Sequence, residues 1–300
     1  MTITLRSILN FGTGLLFGLF ILSHLSFDEK DKNSEKEFIK WYAPTVPDKL
    51  DFAGEPVPLH IWDVRERFDR ELLFNYYWQN NIFYMLKLAN RYFPVIEERL
   101  KANGIPDDFK YLCIAESNML PNAVSRSGAV GFWQFLSGTA PEYNLQVNSQ
   151  VDERRDLIES TDAACQYLIN SYYKFGSWTS AAASYNCGQG GYATQSRLQK
   201  TNNYYDLMLP EETNRYIFRI LAFKYIMENA EDFGFSLKKE ELYQPIKTRT
   251  ITVTSSITSL AQFALDNGTN FKTLKLLNPW LKTNSLTVKG RSYVIRLPEK

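Results

Sequence analysis

The sequence predicts a mainly helical protein: an all-α domain followed by a small β-α-α-β domain. Three observations carry this. Between residues 61 and 234, apolar residues recur at three- and four-residue spacing in one segment after another, the signature of helices with one buried face. After Gly234 the pattern changes to alternating β-branched residues over 248–254 and again over 293–297, with two short helical patterns between them. The apolar fraction of 44%, of which many residues are aromatic, is enough to fill a core for both parts.

The elements follow in order. Residues 7–27 are nearly free of charge and rich in Leu, Phe, Ile and Gly, with Arg6 before them and Asp28-Glu29-Lys30 after. About 20 such residues span a bilayer, and no Ala-x-Ala cleavage site follows, so residues 1–27 read as a membrane anchor or signal segment, with an uncleaved anchor favoured. Residues 28–60 are charged, then contain Pro44, Pro47, Pro56 and Pro58, which break helices; they read as a linker that becomes an extended strap. The helical domain is expected over 61–234. Val64, Phe68 and Leu72 form a first stripe, Ile82, Met85, Leu86 and Ala89 a second, and Val95, Ile96 and Leu100 a third that stops at Asn103-Gly104. Pro106 and Asp107-Asp108 start a helix that carries Phe109, Leu112 and Cys113 and ends near Glu116. Pro121 to Gly128 is a loop. Further helices are expected to start at Ser160-Thr161-Asp162, to run from Trp178 to Tyr185 before a turn at Gly188, Gly190 and Gly191, and to span Glu211 to Phe233.

Composition excludes some classes of function. A net charge of +1 gives no global field for nucleic acid. His24 and His60 are the only histidines, and neither they nor Cys113, Cys165 and Cys187 have metal-ligand spacing, so no metal or cofactor is expected. The three cysteines lie in apolar helical patterns and are expected as buried free thiols, a Cys165–Cys187 disulfide staying open.

The chemistry centres on Glu116. A carboxyl at the C-terminal end of a mostly buried helix meets apolar neighbours and the negative end of the helix dipole, and both favour the protonated form that a general acid needs. Four segments in order accompany it: Glu116-Ser117, Gly131-Phe132-Trp133-Gln134, Tyr185-Asn186-Cys187-Gly188, and Leu209-Pro210-Glu211-Glu212-Thr213-Asn214-Arg215-Tyr216. Together, over residues 60 to 230, they resemble the lytic transglycosylases, which share a lysozyme-like fold; the last block is most similar to the membrane-bound branch of that family. Residues 248–298 resemble a LysM domain, a small peptidoglycan-binding module, except that Ser255-Ser256-Ile257-Thr258 stands where that family usually carries Gly-Asp-Thr.

The resemblance implies cleavage of the β-1,4 link between N-acetylmuramic acid and N-acetylglucosamine, with a 1,6-anhydro end and Glu116 as the lone catalytic acid. It implies Ser125, Gln134, Trp133, Tyr185, Asn186, Glu212 and Tyr216 as substrate-binding residues. Ser125 would lie near the N-acetyl group, Gln134 would bind sugar and help place Glu116, and Trp133 would wall the cleft. It further implies peptidoglycan strands as the partner, a periplasmic or envelope location anchored through residues 7–27, a monomer, and a tethered C-terminal module that concentrates polymeric substrate. Two alternatives stay open: a muramidase taking a second acid from Glu142, Asp152, Asp156 and Glu159, or a silent wall-binding scaffold.

Overall fold

The computed structural model describes residues 42–299, so the expected anchor over 7–27 lies outside the described residues. Among the described residues no helix is long and apolar enough to cross a membrane. The helical part contains α1 (Trp62–Tyr76), α2 (Gln79–Ala102), α3 (Phe109–Ser117), α4 (Leu157–Phe175), α5 (Trp178–Gln199) and α6 (Glu211–Glu228). The small domain contains β3 (Thr248–Val253), α7 (Leu260–Asp266), α8 (Phe271–Leu277) and β4 (Tyr293–Pro298). Before α1, β1 (Asp51–Phe52) and β2 (Glu55–Pro56) form a minimal hairpin.

Helix α3 is the axis of the helical domain. Phe109, Tyr111, Leu112, Cys113 and Ile114 are all buried, on every side of the helix. A helix apolar all round must be enclosed, and α3 is packed by α2 and α6. Helix α6 turns Tyr216, Ile217, Ile220 and Phe223 inward, and it also packs along α1 through Val64, Phe68 and Leu72. Each large apolar side chain removed from water in this way contributes about 1.5–3 kcal/mol. Helix α3 stops at Asn118, whose left-handed conformation (φ 52°) ends the helix one residue after Ser117 and turns the chain away.

The strap is pinned by ions and caps. Lys224 of α6 is buried and holds Asp108 at 2.7 Å and Asp51 at 3.3 Å, while Asp108 also accepts the Ala53 amide. Glu55 reaches the start of α5, accepting the Trp178 and Thr179 amides at 2.6 and 2.9 Å, where a carboxylate also complements the helix dipole.

Three expectations are corrected. Helix α4 starts at Leu157, three residues before Ser160, because Asp156 caps it by accepting from the Ile158 and Glu159 amides. The short helix from Trp178 does not end at a glycine turn: only Gly188 leaves the helical region (φ 75°, ψ 146°), and the chain then resumes as helix through Gln199. Helix α6 ends at Glu228 rather than Phe233. The cysteines are free thiols, with Cys113 and Cys165 buried and Cys187 half-buried.

In the small domain, β3 and β4 pair antiparallel with Ile251 opposite Ile295, and the two helices cover one face. Leu260, Ala264, Leu274, Trp280, Tyr293, Ile295 and Leu297 form its core. One residue of that core comes from the helical domain: Val151, 1% exposed, sits among them. The module is therefore not tethered to the helical domain by its linker alone; it is docked on residues 146–156.

Candidate active site

The four segments singled out in the sequence converge on the C-terminal end of α3. Ser117 donates its hydroxyl to the Phe132 carbonyl at 2.7 Å, tying the end of α3 to the Gly131–Gln134 turn. Tyr185 on α5 donates to the Trp133 carbonyl at 2.8 Å, bringing the third segment to the second. Tyr216 on α6 donates to Glu116 Oε1. Gly131 explains the spacing of the second segment. Its φ is +87°, and a Cβ there would stand 1.8 Å from the Arg154 carbonyl oxygen, so only glycine fits. The chain then turns back at Gln134, itself at φ +51°.

Glu116 lies where two halves of a groove meet. One half, about 700 Å³, is lined by Ser125, Gln134, Tyr185, Asn186, Glu212 and Tyr216 among others. The other, about 490 Å³, runs past Phe74, Trp78, Asn118 and Arg215. Glu116, Ala115 and Arg219 belong to both. The walls present hydroxyls, amides and aromatic rings, and the exposed Phe74 and Trp78 flank the second half. Such a mixture suits a neutral, hydroxyl-rich polymer: amide and hydroxyl groups both donate and accept, and ring faces cover sugar C–H faces.

The electrostatics of Glu116 favour an acid. Desolvation raises its pKa to about 7, against the Tyr216 hydroxyl and Arg219, which both lower it; Glu212 adds a smaller upward push. A carboxyl with this pKa is about half protonated at neutrality and largely protonated below it, and it gives up its proton readily. Oε2 carries no hydrogen bond among the described residues, while Oε1 is held by Tyr216.

Each expected site residue has a definite place. Ser125 is exposed in the groove, its hydroxyl paired with Ser127 at 2.9 Å and accepting the Ala129 amide at 3.0 Å. Asn186 accepts from Thr213 at 2.8 Å, which joins α5 to α6 at the groove wall. Glu212 is exposed in the first turn of α6. Two expectations are corrected. Trp133 does not wall the cleft: it is 0% exposed, and its indole N–H donates to Thr161 at 2.9 Å inside the core. Phe132, Trp133 and Phe135 are all buried, and Gln134, at positive φ, is the half-buried residue among them. Gln134 lines the groove but does not hold Glu116; its amide nitrogen donates to the Gly131 and Ala123 carbonyls at 2.8 and 3.2 Å. Tyr216 holds Glu116 instead.

The sequence reading missed Arg219, Arg215 and Glu71. Glu71, 2% exposed, takes Arg215 at 2.6 Å and faces Arg219 at 3.8 Å. A signal for Arg219 was present: Glu212, Tyr216 and Arg219 fall at i, i+4 and i+7, on one face of α6. None of Glu142, Asp152, Asp156 or Glu159 lines either half of the groove. Asp152 and Asp156 are buried and bound to Arg154 and Arg296.

The groove thus holds one desolvated carboxyl, Glu116, at its middle, with Glu212 and Arg219 in one half and Glu71 and Arg215 in the other. Comparison with known proteins gives matches over both parts of the chain. Residues 93–208 match the transglycosylase SLT domain, and residues 249–300 match the soluble lytic transglycosylase C-terminal LysM-like domain. Membrane-bound lytic murein transglycosylase D of Escherichia coli (strain K12) is 29% identical over 218 residues, 71% of this chain and 47% of that protein. The same protein from a second Escherichia coli strain matches equally. The peptidoglycan transglycosylase of Escherichia phage T7 is 31% identical over 110 residues, 36% of this chain and 8% of that protein. The chain spans about half the length of the murein transglycosylases it matches.

Proposed function

We propose that this chain is a peptidoglycan lytic transglycosylase that cleaves the β-1,4 bond between N-acetylmuramic acid and N-acetylglucosamine and leaves a 1,6-anhydro-muramic end. The observation that carries the reading is Glu116: a carboxyl with a pKa of about 7 where two half-grooves join. A strand lying along both halves has its scissile oxygen over this group. Glu116 protonates the leaving oxygen as the C1–O bond breaks, and positive charge develops at C1 and the ring oxygen. The substrate's N-acetyl group assists at C1. The new carboxylate, steadied by Tyr216 and Arg219, then accepts the proton of the muramic C6 hydroxyl as its oxygen bonds to C1. Water is neither added nor released, and Glu116 ends protonated.

Ser125, Gln134, Tyr185 and Asn186 line the half that holds one side of the strand, and Glu212 stands at its edge. Tyr216 acts through Glu116 rather than on sugar. Glu212 keeps a hydrolytic reading in view, because it is a second carboxylate in the same half-groove and acts electrostatically on Glu116. The substrate places the protein in the cell envelope; periplasmic exposure, anchoring by residues 7–27 and action as a monomer complete the proposal.

The test is Glu116→Gln, which keeps shape and removes the titrating proton. The variant is expected to release no fragments from purified sacculi while still co-sedimenting with them. Release near the wild-type rate removes Glu116 from the mechanism.

A further inference from the structure

The LysM-like module and the groove are joined by a continuous set of buried contacts. Residues 146–156 lie between them and are bound on both sides. On the module side, Val151 pairs with Leu281 as an antiparallel bridge, and the Trp280 carbonyl accepts the Asp152 amide at 2.9 Å. Gln150 accepts the Thr287 amide at 3.0 Å and donates to Ser285. Arg291 donates to Glu153 at 2.7 Å, and Arg296 donates to Asp156 at 2.5 Å. Both carboxylates are at least 95% buried, with Arg296 18% exposed and Arg291, at the rim, 40% exposed.

On the groove side, the Asp152 carboxylate grips Arg154 with two bonds, at 2.8 and 2.9 Å. Arg154 is 6% exposed and points under the loop that carries Ser125, donating to the Phe135 carbonyl at 3.1 Å and the Gly128 carbonyl at 3.3 Å. Its own carbonyl closes on Gly131. Arg155 donates to Asn122 at 2.6 Å, at the start of the same loop. The tip of that loop, residues 124–128, is exposed, and its other bonds, such as the Val124–Val130 bridge and the Ser125 amide to the Ala129 carbonyl, lie within the loop itself.

We infer that the LysM-like module is a brace for the active site, holding the 121–135 loop in its binding shape through Asp152 and Arg154, in addition to any grip on the wall. In this arrangement Arg154 is a positioning residue, and the charged run Asp152-Glu153-Arg154-Arg155-Asp156 is the coupling. The module's Trp280–Arg291 segment is engaged with the helical domain rather than free. Its effect on catalysis rests on the function proposed above; its effect on the loop does not.

The test uses full-length variants at the far side of the coupling. Arg291→Ala and Arg296→Ala break the ion pairs, and Gln150→Ala removes two uncharged contacts without stranding a buried charge. Two readouts follow: hydrogen–deuterium exchange across residues 121–135, and kcat and KM on a soluble glycan too short to reach from the groove to the module. Exchange is expected to rise over 121–135 in all three variants while α3 and α6 stay protected. On the short glycan kcat/KM is expected to fall about tenfold in the arginine variants, mostly through KM, since displacement of a positioning loop by about an ångström is enough for that. Arg291→Lys and Arg296→Lys are expected to restore much of both. Wild-type exchange over 121–135 alongside raised exchange over 248–299 overturns the brace. So does unchanged kcat/KM on the short glycan in variants whose loop has loosened. If the wild type itself cleaves no glycan, the functional proposal falls and the exchange measurement alone decides the brace.

Discussion

Tyr216→Phe perturbs the acid without touching it. The Tyr216 hydroxyl, on a side chain 1% exposed, donates to Oε1 of the half-buried Glu116. That bond stabilises the carboxylate more than the carboxylic acid, so it lowers a pKa that desolvation has raised. A hydrogen bond to a charged group contributes about 1.5–3 kcal/mol, and at 1.36 kcal/mol per pH unit its loss moves the Glu116 pKa up by roughly one to two units. From a starting value of about 7, the variant should hold its proton to between about pH 8 and 9. The assay is kcat/KM against pH on a soluble glycan, whose alkaline limb reports the acid of the free enzyme. The limb is expected to move up in pH, and the plateau to fall because a weaker acid transfers its proton less readily. An alkaline limb that stays in place, or moves down, refutes the assignment of the limb to Glu116 or of Tyr216 as its partner.

Other substitutions separate scaffold from chemistry. Gly131→Ala puts a Cβ 1.8 Å from the Arg154 carbonyl at a φ of +87°, and is expected to cost at least about 3 kcal/mol in urea unfolding. Trp133→Phe loses the bond to Thr161 and leaves a small void, so it should cost about 1–3 kcal/mol of stability with KM nearly unchanged. Because the folded-state pKa of Glu116 is raised from 4.5 to about 7, wild-type stability from this group is fully present below pH 4.5 and lost as pH rises through 7. Glu116→Gln should therefore gain on the wild type between pH 5 and 8, by at most about 3 kcal/mol and less where the groove admits water. Glu153, Glu159 and Glu228, also raised, are present in both proteins and cancel.

Local chemistry was legible where it was decided locally. The two-residue alternation and the short helical patterns after Gly234 correspond closely to β3, α7, α8 and β4, because turn residues and periodicity act within a few positions. The end of α3 near Glu116 was legible for the same reason. What escaped was decided at long range. The run Asp152-Glu153-Arg154-Arg155-Asp156 pairs internally through Asp152 and Arg154, but its burial depends on Arg291 and Arg296, which arrive from the end of the chain to meet Glu153 and Asp156. The Asp156 cap was hidden within that run, which delayed the expected start of α4. Trp133 and Gln134 are adjacent, and nothing in their identities tells which one faces the groove; the turn imposed by Gly131 and Arg154 does.

The central claim is that Glu116 acts alone, with the substrate's own C6 hydroxyl as nucleophile. The C6 hydroxyl is held by the same sugar ring as C1, so its effective concentration greatly exceeds that of a free reactant. Digestion of purified sacculi in heavy-oxygen water, followed by mass analysis of the released muramic ends, tests this directly. Ends lighter than the hydrolysed product by one water, and carrying no heavy oxygen, are the expected result. Reducing ends that carry the heavy oxygen contradict it, and would assign Glu212 as the base that activates water.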